Sequence, residues 1–133
     1  RIADELRYLI MPQFALFAEI GDRPVGAVFA LLDYNQILRK LNGRLFPFGF
    51  LRILTGRKQI TATRALAMTM VPGYQRAGLS LLLVNELVAG STDWNIERYE
   101  FSWVLESNTR SRGTLEHLKT KVVSTYRIYD KPL

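Results

Sequence analysis

The residues with the clearest chemistry lie in one turn. An extended apolar run, Ala65-Leu66-Ala67-Met68-Thr69-Met70-Val71, enters Pro72-Gly73-Tyr74-Gln75-Arg76-Ala77-Gly78-Leu79-Ser80 and then a leucine-rich helix. That order reads as strand, turn and helix N-terminus. The first amides of a helix have no intrahelical acceptor, and the helix dipole places partial positive charge there, so such a junction suits an anion. A diphosphate is the candidate. Gly78 lacks a Cβ and lets a phosphate approach the main chain, and Gly73 allows a turn conformation that other residues resist. The alternative is a plain strand-to-helix turn, which also favours Pro-Gly.

Composition narrows the remaining chemistry. The chain has 133 residues and no cysteine, which excludes disulfides, thiolate zinc sites and a cysteine nucleophile. His117 is the only histidine, so a multi-histidine metal site is excluded as well and no metal is expected. Eighteen Lys and Arg against twelve Asp and Glu give a net charge of +6 and a pI near 9.9. That balance favours an anionic partner without identifying it. The basic residues are scattered (Arg39-Lys40, Arg57-Lys58, Arg110 with Arg112, Lys119 with Lys121), which favours a compact anion over a long polyanion. The length suits one domain over 1–133. No signal peptide and no apolar run of spanning length is evident, so the expectation is a cytoplasmic protein, and the opening on Arg1 fits a trimmed or partial chain.

The elements that must position the turn follow from hydrophobic periodicity. Ile2, Leu6, Leu9 and Ile10 predict a short helix over residues 1–10, stopped before Pro12. Residues 14–20 and 25–32 are apolar extended runs joined by Gly21-Asp22-Arg23-Pro24, a hairpin. Residues 33–43 read as a helix capped by Asp33 and stopped by Gly43. An aromatic stretch with Phe46, Phe48 and Phe50 then leads into a second short helix, making a helical and aromatic insertion over about residues 33–60. It could serve as a lid or apolar pocket, or equally as a satellite cluster or dimer contact, with a peripheral membrane contact through its phenylalanines and Arg52, Arg57 and Lys58 ranked lower. After the turn, Leu79, Leu82, Leu83, Leu87 and Val88 are expected to bury against a sheet. Residues 98–106 alternate as a half-buried strand, Asn108 suits an N-cap for a helix over 109–118, and residues 121–129 predict a closing strand.

The turn and its flanks resemble the GCN5-related N-acetyltransferase (GNAT) superfamily, whose acetyl-CoA motif is Gln/Arg-x-x-Gly-x-Gly/Ala. Gln75 and Gly78 match, and Ser80 stands where the family has Gly or Ala. The resemblance implies an α/β (α+β) fold, a mixed and largely antiparallel central sheet flanked by helices, here without the usual N-terminal strand and helix. It further implies that acetyl-CoA, or another acyl-CoA, is bound with the backbone of Met70 and Val71 along the pantetheine. Gln75 and the amides of Arg76, Ala77, Gly78, Leu79 and Ser80 would hold the diphosphate, and Asn108 would reach the pantetheine or simply cap its helix. Many members carry a tyrosine acid seven residues after this asparagine. That position is Leu115, so Tyr126 or Tyr129 would have to substitute, or water, or no transfer occurs. Glu106 is the first choice of base, ahead of Glu100 and Glu19.

The resulting expectation is an acyl-CoA-dependent N-acyltransferase acting on a small-molecule or peptide amine, with a homodimer as one way to supply the missing acceptor wall. The alternatives are a non-catalytic CoA-binding or regulatory module and, third, a basic nucleic-acid-binding module. Nucleic acid and membrane are the disfavoured partners.

Overall fold

The computed structural model describes residues 9–41, 48–75 and 78–130, apart from the side chain of Phe50. They fall into two compact units, Arg1–Trp103 and Val104–Leu133. The first unit holds a four-stranded sheet. Strand β1 (Ala15–Ile20) and strand β2 (Arg23–Leu32) form the expected hairpin, paired from Ala15↔Phe29 to Ile20↔Arg23. Its turn is shorter than expected: Arg23 and Pro24 already belong to β2, and Gly21 takes φ +60°, a left-handed conformation open to glycine.

Helices α1 (Asn35–Leu41) and α2 (Gly49–Thr55) follow, as expected for the insertion; Gly43, Phe46 and Pro47 lie outside the described residues, as do residues 1–8 of the expected N-terminal helix. Strand β3 (Ala62–Met70) returns antiparallel to β2 from Leu32↔Thr63 to Gly26↔Met70, with one extra residue, Leu66, between Ala65 and Ala67. Helix α3 (Leu79–Ala89) crosses over to strand β4 (Arg98–Phe101), which runs parallel to β3 from Ala62↔Arg98 to Ala65↔Phe101. A crossover of this kind is required to join parallel neighbours. The order is β1-β2-β3-β4.

The core sits where the hairpin meets the helices. Phe14 and alternate residues of β2 (Val28, Ala30, Leu32) pack with Ile37 and Leu41 of α1, Ile53 of α2, Ile60, and Leu83 and Leu87 of α3. Phe14 also meets Trp94 edge-to-face at 6.1 Å. Two buried hydroxyls are satisfied: Thr63 Oγ1 donates to the Leu31 carbonyl at 2.7 Å, and Ser91 Oγ donates to the Val88 carbonyl at 2.8 Å and pairs with the Tyr99 hydroxyl.

Three expectations are corrected. Helix α3 buries Leu83, Val84 and Leu87, whereas Leu82 is 59% exposed and Val88 is also exposed. Apolar residues at 79, 81, 82, 83, 84, 87 and 88 lie all round the helix, so periodicity cannot choose the face. Strand β4 ends at Phe101 instead of Glu106, leaving Trp103 and Leu105 exposed, because β3 stays beside it only as far as Ala65. Residues 121–129 are not a strand; alternation marks β propensity, but a strand also needs a partner ladder, and none forms here among the described residues. In the second unit, helix α4 (Thr109–His117) does form on its Asn108 cap and is followed by Lys119, which takes φ +54° while Thr120 N–H closes back on the Leu115 carbonyl at 3.2 Å.

Candidate functional site

The turn after β3 is built from two positive-φ glycines. Gly73 sits at φ +96°, where Tyr74 N–H donates to the Val71 carbonyl at 3.1 Å, and Gly78 sits at φ +71°, ψ 0° as the residue that opens α3. The Gly78 carbonyl accepts from Leu81 and Leu82 N–H at 3.0 and 3.2 Å. The amides of Leu79 and Ser80 head the helix ahead of those bonds, where no preceding turn supplies an acceptor. A Cβ built on Gly78 would meet nothing within 4 Å, so the space at that position is open among the described residues. Gln75 lies exposed in the same turn, and Arg76 and Ala77 lie outside the described residues.

Beside the turn, the sheet opens. Thr61 and Ala65 turn their carbonyls toward β4, accepting from Arg98 and Ser102 N–H at 3.2 and 3.4 Å, and beyond Ala65 the ladder stops. Val71 N–H points the other way, donating to the Val25 carbonyl at 2.8 Å. Successive strand residues alternate in direction, so Met70, and Met68 before it, turn their N–H and C=O to the edge that β4 has left. Of the expected pair, Met70 therefore offers both main-chain groups to that edge, while the Val71 amide is taken by β2. The Met70 side chain is seated over Gly26, where a Cβ would collide with its Sδ. A Cβ there would require the flexible end of the Met70 side chain to shift.

The catalytic candidates lie in the second unit. Glu106 is not at a strand end: it sits in a turn, largely exposed, with its carboxylate 3.5 Å from Arg127 and its carbonyl accepting from Arg112 at 3.3 Å. Tyr126 is 77% exposed, and Tyr129 is more so. Asn108 accepts from Ser111 N–H at 3.1 Å through its side chain, the N-cap role. Leu115 is half-buried on α4. In the first unit, Glu100 of β4 is held by Arg64 of β3 at 3.0 Å, an ion pair that the alternation alone did not reveal because it depends on the β3–β4 register. Arg57, read from the sequence as half of a basic pair, turns inward instead: its guanidinium meets Met11 Sδ at 3.6 Å and lies beside Tyr34. Burial raises the Tyr34 phenol above its ordinary value of 10.0, and the Arg57 charge opposes that shift. Among the described residues, no cluster of three His, Asp or Glu side chains is placed to hold a metal ion, and no helix is long and apolar enough to cross a membrane.

Comparison with solved structures identifies the architecture. The chain is similar to AAC(6')-Iy in complex with the bisubstrate analogue CoA-S-monomethyl-acetylneamine (TM-score 0.59, 12% identity, 90% of this chain and 69% of that one). It is similar also to the aminoglycoside 6'-N-acetyltransferase AAC(6')-IG from Acinetobacter haemolyticus (TM-score 0.62, 12% identity, 99% of this chain and 79% of that one). The fold is that of GCN5-related N-acetyltransferases, as the resemblance implied. In sequence, the chain is 32% identical to Protein YghO of Escherichia coli K12 over 138 aligned residues and 29% identical to the bacterial ceramide synthase of Caulobacter vibrioides over 139. It spans 35% and 36% of those proteins, about a third of each. No family model matches the sequence.

Proposed function

We propose that this chain carries the acyl-CoA-binding part of an N-acyltransferase. The observation that carries the reading is the conjunction of the β3 edge at Met68 and Met70, which pairs with no strand among the described residues, the open space at Gly78, and the amides of Leu79 and Ser80 that head α3, in a fold shared with acetyltransferases. Met70 would pair with the amide-bearing arm of the donor. Gln75 and the amides of residues 76–80 would hold its diphosphate, where the α3 dipole adds to each hydrogen bond. The thioester supplies an activated acyl group. An amine that has lost its proton attacks the thioester carbon, the new C–N bond forms, the C–S bond breaks, and the thiolate takes up a proton. Glu106 as base and Tyr126 as acid remain the groups proposed for those two proton transfers, with Asn108 toward the pantetheine.

The acceptor in this reading is an amine of apolar character. Support comes from the relative named a ceramide synthase, since a ceramide is an amide formed on a long-chain amino alcohol, and from the aromatic insertion. Acetyl-CoA and a long-chain acyl-CoA are therefore both donors to test, and a soluble cytoplasmic protein working singly or as a dimer fits the proposal. The experiment is amine-dependent release of free thiol from each donor, with mass spectrometry of the product. Formation of an N-acyl amine supports the reading. Binding of acyl-CoA without transfer to any amine, short or long, would leave a CoA-binding module in its place.

A further inference from the structure

The positive charge of this chain is concentrated in one span. From Tyr34 to Asn85 there is no Asp or Glu and there are eight Lys or Arg, while the rest of the chain carries ten basic and twelve acidic residues. Half of that charge is exposed on α1, on α2 and just after it. Arg39, Lys40, Arg52 and Lys58 are exposed, and none forms an ion pair among the described residues. Arginines elsewhere behave differently: Arg64, Arg98, Arg112 and Arg127 each lie within 4 Å of a carboxylate.

The same face is apolar where a solvated face should be polar. Phe48, Leu51, Arg52 and Thr55 follow the i, i+3, i+4, i+7 spacing that puts them on one side of α2, opposite buried Gly49 and Ile53. Phe48 is 75% exposed and Leu51 59% exposed. Arg52 and Thr55 also line, with Lys40 and Gln59, a pocket of about 220 Å³ floored by Ile37 and Gly56. Two cations thus share one concavity beside two protruding apolar side chains.

We infer that the α1–α2 face docks on an anionic membrane surface, with a lipid phosphate between Lys40 and Arg52 and with Phe48 and Leu51 entering the headgroup–acyl boundary. Charge complementarity selects the partner. A soluble anion would use the cations but leave the apolar pair unexplained, and a neutral apolar partner would use the pair but leave unpaired charges at its rim. An interfacial amphipathic element needs both. The inference is independent of acyl transfer.

The test is co-sedimentation of the chain with vesicles of phosphatidylcholine alone and of equal parts phosphatidylcholine and phosphatidylglycerol, in low and high salt. Uptake is expected on the anionic vesicles only, and high salt should weaken it. Replacing Lys40 and Arg52 together by Ala should lower partitioning about thirty-fold, from the ordinary contribution of each basic side chain near an anionic surface. Phe48→Trp should shift its emission to the blue on anionic vesicles, and Leu51→Ser should weaken binding while the far-UV spectrum and melting midpoint stay with the parent. The inference is overturned by equal uptake on neutral vesicles, by Trp emission unchanged on binding, or by an oligonucleotide that binds with the same dependence on Phe48 and Leu51. It is overturned equally if Leu51→Ser converts a dimer to a monomer, since the face would then be an interface between copies.

Discussion

Replacing Gly78 separates the conformational demand of the turn from its proposed ligand. At φ +71° an alanine would pay about 1–2 kcal/mol for the left-handed backbone, partly offset by the lower entropy of its unfolded chain. No steric term adds to this, because a Cβ there meets nothing within 4 Å. A net loss of about 1 kcal/mol lowers the melting midpoint of a domain this size by about 4 °C. Gly78→Glu carries the same backbone cost, but its carboxylate stands beside the N-terminus of α3 and recovers about 0.3–1 kcal/mol from the dipole. Without ligand, the Glu variant should therefore melt at or slightly above the Ala variant. With acyl-CoA at a hundred times its dissociation constant, the parent should gain about 2.7 kcal/mol, the Ala variant most of that, and the Glu variant almost nothing, since its charge sits where the diphosphate would. Circular dichroism melts of the three proteins at several acyl-CoA concentrations read both effects. Equal midpoints for parent and Gly78→Ala would refute the left-handed turn, and an undiminished acyl-CoA response in Gly78→Glu would refute the anion site.

Leu87→Ala, at a position 1% exposed in the core, should cost about 2–5 kcal/mol, measured as a lower urea midpoint with an unchanged slope. A double-mutant cycle of Arg64→Ala and Glu100→Ala should give a coupling below about 1 kcal/mol that fades with salt, because both side chains are more than a third exposed. Tyr34 should ionise above 10.0 in a spectrophotometric titration; the unfolded chain then loses its phenolic proton first, so stability falls as pH rises from that value toward the folded pKa, and Tyr34→Phe should remove that part of the decline.

What could be read from the sequence depended on whether an element is specified locally. The hairpin was legible because Gly21-Asp22 interrupts two apolar runs, and the start of α3 because Gly78 precedes a leucine-rich helix. Asn108 was legible as a cap because its bond to Ser111 spans three residues. Features that depend on a distant partner were not. Nothing within residues 98–106 records that β3 stops accompanying β4 after Ala65, and nothing within residues 121–129 records whether a neighbouring strand is present. Arg57 looked like a surface cation because its partners, Met11 and Tyr34, are 46 and 23 residues away.

Leu66 settles which groups of β3 meet the opening of the sheet. Ala65 faces β4, and five residues later Met70 faces the same edge, although an odd separation in a regular strand would place it on the opposite one. The extra residue reverses the parity. Were Leu66 drawn into a regular ladder instead, Thr69 and Val71 would face the open edge and Met70 would turn to β2, whereas deleting Leu66 would leave Met70 four residues after Ala65 and on the same edge. The bulge itself, more than the identity of the side chain that makes it, decides which main-chain groups the edge can offer.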